Sequence, residues 1–210
     1  MAITTYADLQ AAIADWLDRA DLTLRIKDFI ALAEAQMNRG LRVRRMVSRS
    51  TASVDGGFAE LPSDYLQAIA LRLDGERLAP APPEVIADYR SASDSPGKPR
   101  VFAIVGGELQ FFPSPDRAYD VELTYHAKIP ALSVSNPSNW VLAEAPDAYL
   151  YGALLQAAPY LRDNEAAQVW NAGFTAALDG LRMADRTPAG LLRVEPSLRE
   201  QRAYSVTTDL

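Results

Sequence analysis

The spacing of apolar residues changes twice along this chain, from a helical period to a period of two and back. No single layer of one element type accommodates that order, so it points to an α+β fold. Near the start, Leu9, Ala12, Ile13, Trp16 and Leu17 follow the i, i+3, i+4, i+7, i+8 rhythm of one buried helical stripe. Thr5 with Asp8 forms a capping box with a shorter carboxylate than usual. After a polar break at Asp18–Asp21, a second helix is predicted from about Thr23 or Leu24 to Gly40, with Ile26, Phe29, Ile30, Ala33 and Met37 on one face. Two helices joined so closely are expected to pack as an antiparallel hairpin, because neither can bury its stripe alone.

From about Val47 to Ile129 the period shortens toward two. Ser50–Val54 and Phe58–Leu61 flank Asp55-Gly56-Gly57, which predicts a first hairpin. Ala68–Leu73 with Glu76–Leu78, across Asp74-Gly75, predicts a second. Arg100–Val105 with Glu108–Phe112, across Gly106-Gly107, predicts a third. Tyr119–Tyr125 alternates strictly and reads as a further strand. A short helix with proline in its first turn spans Pro82–Tyr89, and Ser91–Pro99 reads as a mobile loop. Helix then returns at Ala145-Pro146-Asp147, with Pro159 expected to end or kink it. A last helix is capped by Asp163 or Asn164 and stops at Thr187-Pro188.

The expected architecture is a helical bundle, made of the N-terminal hairpin and two C-terminal helices, with an inserted antiparallel β-meander and an extended tail. Residues 1–45 and 141–187 are assigned to the helical domain, 46–140 to the β domain and 188–210 to the tail.

Composition excludes several kinds of chemistry. The 210 residues include no cysteine and a single histidine, His126, which removes disulfides, thiolate nucleophiles, zinc fingers and a His-rich metal site within one subunit. His126 ends a predicted strand and no G-x-S-x-G elbow accompanies it, so it reads as a strand-edge histidine. Carboxylate pairs such as Asp15 with Asp18 and Glu84 with Asp88 read as solvated helix faces. Gly56-Gly57 and Gly106-Gly107 belong to turns, not phosphate loops. No cofactor and no catalytic residue is expected. No apolar run nears the roughly 18 residues that span a bilayer, and the N-terminus lacks the pattern of a signal peptide.

The formal net charge is −6, which argues against a general grip on nucleic acid. Against that background Arg39, Arg42, Arg44, Arg45 and Arg49 form a run of about +5, with no acid between Glu34 and Asp55. Arginine outnumbers lysine 18 to 3, which suits bidentate pairing with carboxylates. The run reads either as a phosphate-facing patch or as a comb pairing with acids on a neighbouring protein, and the overall acidity favours the comb. The 23 residues from Pro188 to Leu210 keep large apolar residues that a loose terminus usually lacks. Leu191, Leu192, Leu198, Arg199, Arg202, Tyr204 and Val206 are therefore expected to order on a partner, with Tyr204–Thr207 able to add a strand.

An ordered series of residues resembles phage head-to-tail adaptor proteins. It runs through Thr4–Leu9, Ala14–Arg19, Ile26 to Glu34, Asn38 to Arg42, Leu61 to Tyr65 and Leu71–Gly75. It continues through Val121–Ser133, Asn139–Leu142 and Ala145–Leu154, so that it covers about residues 4–185. The resemblance implies a non-enzymatic virion component in the neck between capsid and tail, made in the host cytoplasm. It implies a ring of twelve subunits beneath the portal protein, joined to a tail nozzle or tail tube protein, with DNA passing through without specific binding. Twelve copies would carry roughly −72, which would discourage DNA from adhering to the wall. A connector or completion protein of a long-tailed phage is the alternative, and a carboxylate-dependent hydrolase a more distant one.

Overall fold

A computed structural model describes residues 2–93 and 95–186. The expected α+β class holds, with helices at both ends of the chain and, between them, sheets that are antiparallel except for one short parallel pair at Ala79–Pro80. Helix α1 (Tyr6–Leu17) begins with the predicted capping box: Thr5 Oγ1 accepts from Asp8 N at 3.2 Å while the Asp8 carboxylate accepts from Thr5 N at 3.0 Å. Hydrogen bonding of its carboxylate with the Thr5 side chain first, and then with the Thr4 side chain and backbone, holds the Asp8 pKa below its ordinary value. The polar break is a 3-10 turn over Ala20–Arg25, so α2 (Ile26–Gly40) starts two residues later than its stripe suggested.

At the other end of the chain stand α4 (Trp140–Glu144), α5 (Pro146–Leu161) and α6 (Asn164–Asp185). Asn139 caps α4 through its side-chain oxygen, and Asp163 caps α6 by accepting from Glu165 N and Ala166 N. Pro159 neither ends nor breaks α5 on the spot. It sits in the last turn, and the helix ends two residues beyond it at Leu161, capped by left-handed Arg162. Helix α5 crosses α2 and α6 at Gly152, where an added Cβ would lie 2.9 Å from the Phe174 ring and 3.0 Å from Ala33 Cβ. Glycine lets these backbones approach.

Between the helical ends lie β1 (Val47–Val54), β2 (Phe58–Glu60), β3 (Tyr65–Leu73), β4 (Glu76–Arg77), β5 (Ala79–Pro80), β6 (Val101–Val105), β7 (Glu108–Phe112) and β8 (Tyr119–Ala127). Helix α3 (Pro83–Ala92) separates β5 from β6, begins with Pro83 and ends three residues later than expected. The strands form two sheets, in the orders β1-β8-β3-β4 and β2-β7-β6-β5. The second and third predicted hairpins pair as expected. The first does not: β1 pairs with β8 and β2 pairs with β7. Asp55-Gly56-Gly57 therefore carries the chain from one sheet to the other. The turn signal was local, whereas β8 offers β1 eight antiparallel partners along a largely buried face.

Apolar side chains of both sheets, including Val54, Leu71, Phe102, Phe111 and Val121, share one buried cluster, so the sheets pack face to face. A second cluster joins α1, α2, α5 and α6, with Tyr149, Phe29 and Ile30 among its most enclosed residues. The returning segment after β8 belongs to this second cluster through Ile129 and Leu132.

Candidate functional site

The five arginines of the run stand where α2 passes into β1. Arg39 is in the last turn of α2, Arg44 and Arg45 lie in a 3-10 turn over Arg44–Met46, and Arg49 is in β1. Alternate residues turn inward: Leu41, Val43 and Met46 are buried while Arg42, Arg44 and Arg45 are exposed. The run is thus an amphipathic strip whose arginines are all forced to the surface.

Each arginine meets an acceptor from elsewhere in the fold, with one exception. Asp185, at the end of α6, takes both Arg44 N at 2.9 Å and Arg44 Nε at 3.0 Å through one oxygen. Arg45 pairs with Glu144 of α4. Arg49 lies 3.5 Å from Glu122 of β8. Arg42 instead donates to the Gln67 side-chain oxygen at 2.8 Å and to the carbonyls of Asn38 and Leu41. Arg39 has no ion pair among the described residues. Arg182, which the sequence reading passed over, joins the strip by donating to Gly40 O at 2.9 Å while pairing with Asp179. Arg44, Arg45, Trp140, Glu144 and Asp185 line a shallow cleft of about 310 Å³.

The side chains of Arg44, Arg45 and Arg49 remain 60%, 65% and 68% exposed. Ion pairs so open to solvent contribute about 0–1 kcal/mol each. They are free to exchange partners, and Arg39 and Arg42 have no carboxylate at all among the described residues. His126 faces the strip from β8 with its Nδ1 buried and unpartnered. Burial first, and the Arg42 charge second, hold its pKa below the ordinary histidine value, so it is neutral near pH 7.

A second polar arrangement lies inside the helical core. Glu34 is buried in the stripe of α2, and its Oε1 accepts from Leu132 N at 2.7 Å and from the Tyr149 hydroxyl at 3.0 Å. The Asn139 amide donates to the Tyr149 oxygen at 2.6 Å and to Pro130 O at 2.7 Å. Asn38 Oδ1 accepts from Ile129 N at 2.9 Å, and Tyr6 N donates to Pro137 O. Together these bonds bind the segment between β8 and α4 to α1, α2 and α5. Burial raises the Glu34 pKa and, with the Glu34 charge beside it, raises that of Tyr149 far above its ordinary value.

Carboxylates gather once more in an open cleft of about 540 Å³ that includes Asp74, Asp120 and Glu122. Asp74 is 3.6 Å from Arg117 and accepts from Asp120 N, while Glu122 faces Arg49. These acids serve strand ends and ion pairs. The expected partner residues Leu191, Leu192, Leu198, Arg199, Arg202, Tyr204 and Val206 lie outside the described residues.

The helical body is thus locked around one buried acid and carries a strip of solvent-open arginine pairs on its surface. The family model for the SU10 adaptor protein matches residues 4–195, and the chain belongs to that family of phage head-tail adaptors. It is accordingly a structural component of the virion, and its family implies phage portal and tail proteins as partners. A comparison with curated proteins gave no match. No helix among the described residues is long and apolar enough to cross a membrane.

Proposed function

We propose that this protein assembles into a ring, of twelve copies, that joins the portal vertex of the capsid to the tail nozzle or tail tube and lets DNA pass through. The helical parts, residues 1–45 and 141–187, form the ring body, and the β part (46–140) and tail (188–210) reach neighbouring proteins. The protein holds partners and turns over no substrate. One observation carries this reading: the arginine strip is built into the junction between helices and sheet, yet its pairs are too exposed to be there for stability. An acidic partner surface can take over Arg44 and Arg45 and satisfy Arg39 and Arg42 as well. Charged seams of this kind select partners and register more than they add affinity.

Images of the purified protein mixed with its portal test the reading directly. Rings seated on the portal support it, and a protein that ignores the portal at every concentration refutes it. Deletion of residues 188–210 is expected to leave the body folded and to weaken attachment to the portal. Unchanged attachment of the shortened chain would remove the tail from the interface.

A further inference from the structure

Four strands lie at sheet edges, and three of them are brief. Strand β2 has three residues, and β4 and β5 have two each, the last ending in Pro80. Short edges and edge prolines are the ordinary protection against unwanted strand pairing. Strand β1 has none of these. It runs for eight residues in unbroken register with β8, contains no proline, and carries one charge, Arg49. No strand among the described residues pairs with its other side.

The side chains of β1 are also too small for the place they occupy. Ser48, Ser50, Ala52 and Val54 stand opposite Tyr125, Leu123, Val121 and Tyr119 of β8, all four of which are buried. Directly opposed residues share a face, so this is the core face of β1. Yet Ser48 and Ser50 are only half-buried there and Ala52 is exposed. The rim of the sandwich is open along this edge.

We infer that the edge of β1 receives an added strand, Tyr204–Thr207 of a second copy of this chain. That run is the one β-prone stretch of the tail, and it alternates Tyr204 and Val206 with Ser205 and Thr207. An added strand completes the backbone ladder and lays Tyr204 and Val206 over the open rim beside Ser50 and Ala52. Length selects a second copy over the chain's own edge. Asp185 is bonded to Arg44, three residues before β1, so the described chain ends at Arg186 close to its own strand. Tyr204 lies 18 residues further on, a span of roughly 60 Å extended. A folded chain of this size has a radius of gyration of about 17 Å, so that reach is long enough to cross a neighbouring copy. The inference rests on the proposed self-association for its biological setting, but not for its chemistry.

Two measurements on the full-length protein test it. In the first, a synthetic peptide of residues 197–210 is added to dilute protein while amide hydrogen exchange is followed. Alternate amides of residues 48–53 are expected to slow by about tenfold or more. The same peptide with Val206→Pro, which cannot complete the ladder, is expected to have no effect. No slowing at any peptide concentration overturns the inference. So does a β1 already protected in the dilute chain and released by Val206→Pro, which would mean that the tail folds onto its own strand.

In the second, Ser50→Cys and Val206→Cys copies, in a chain without native cysteine, are mixed, bound to the portal and treated with a short bis-maleimide. Covalent dimers are expected. Rings that form without them overturn the strand addition and leave the ring standing. Peptide protection without rings supports the strand addition and counts against the ring.

Discussion

The Glu34 network and the arginine strip lie at opposite ends of what polar groups do in a protein. Both join the helices to segments far away in sequence, and both use charge. Glu34 is 7% exposed and gives its charge to two donors that have no other acceptor. Of the six arginines, Arg42, Arg44, Arg45, Arg49 and Arg182 rest on acceptors that water could replace. A buried unsatisfied donor costs about 1–3 kcal/mol, whereas an exposed ion pair contributes about 0–1 kcal/mol. The same chemistry therefore fixes the fold in one place and leaves the surface available for exchange in the other.

The largest effect is expected from removing the buried acceptor. Glu34→Ala strands Leu132 N and the Tyr149 hydroxyl and leaves a void, which amounts to about 3 kcal/mol or more by urea unfolding. A loss below about 1 kcal/mol would place Glu34 with the arginines and dissolve the contrast. Close packing gives the next effect. Gly152→Ala pushes a methyl group into Phe174 and Ala33 and is expected to cost about 1–3 kcal/mol. Gly180→Ala, in α6 with nothing within 4 Å of the new Cβ, is expected to stabilise by about 0.5–1 kcal/mol. Calorimetry of the two variants should show melting temperatures moving in opposite directions.

Titration sharpens the contrast further. The Glu34 pKa is raised in the folded state above its ordinary 4.5, because burial disfavours the charge. Between those two values the folded chain holds the proton more tightly than the unfolded chain. Its contribution to stability is thus greatest below about 4.5 and is lost as pH rises through the folded value. Glu34→Gln keeps an acceptor oxygen and abolishes this titration. Unfolding measured from pH 4 to 8 should show the wild-type protein losing stability relative to the variant as the pH rises. Parallel curves would mean that the buried carboxyl titrates as it does in the unfolded chain.

Much of this architecture was legible because it is periodic. The stripes of α1, α2 and α6, the turns between β3 and β4 and between β6 and β7, and the alternation of β8 are local patterns that the fold did not override. The partner of β1 was not legible, since the β1–β8 pairing spans more than sixty residues of chain while the turn at Asp55-Gly56-Gly57 looked complete in itself. The arginine strip was visible as a run of charge, but its intrachain acids, Asp185, Glu144 and Glu122, come from three distant elements. Glu34 did leave a signal. It is an acid inside the stripe Ile26, Ile30, Ala33, Met37, and it lies, with Asn38, Asn139 and Tyr149, in the blocks that carry the family resemblance. The side chains that lock the body thus fall inside the blocks that carry the resemblance.

The smallest effect on stability, and the largest on assembly, is expected at the strip. Arg45→Ala removes the pair with Glu144, and Arg42→Ala removes bonds to Gln67 and two carbonyls. Each is expected to lower stability by about 1 kcal/mol or less, since the groups left behind can turn to water. If the arginines serve a neighbour, both substitutions should reduce ring formation on the portal well before the melting temperature falls, and added salt should imitate them in the wild-type protein. Arg45→Lys separates charge from shape. It keeps the positive charge but loses the planar fork, so partial recovery of assembly would indicate simple attraction and none would indicate paired recognition of a carboxylate. A fall in melting temperature equal to that of Glu34→Ala, with assembly intact in the folded fraction, would make the strip a second lock and leave the surface without an adhesive role.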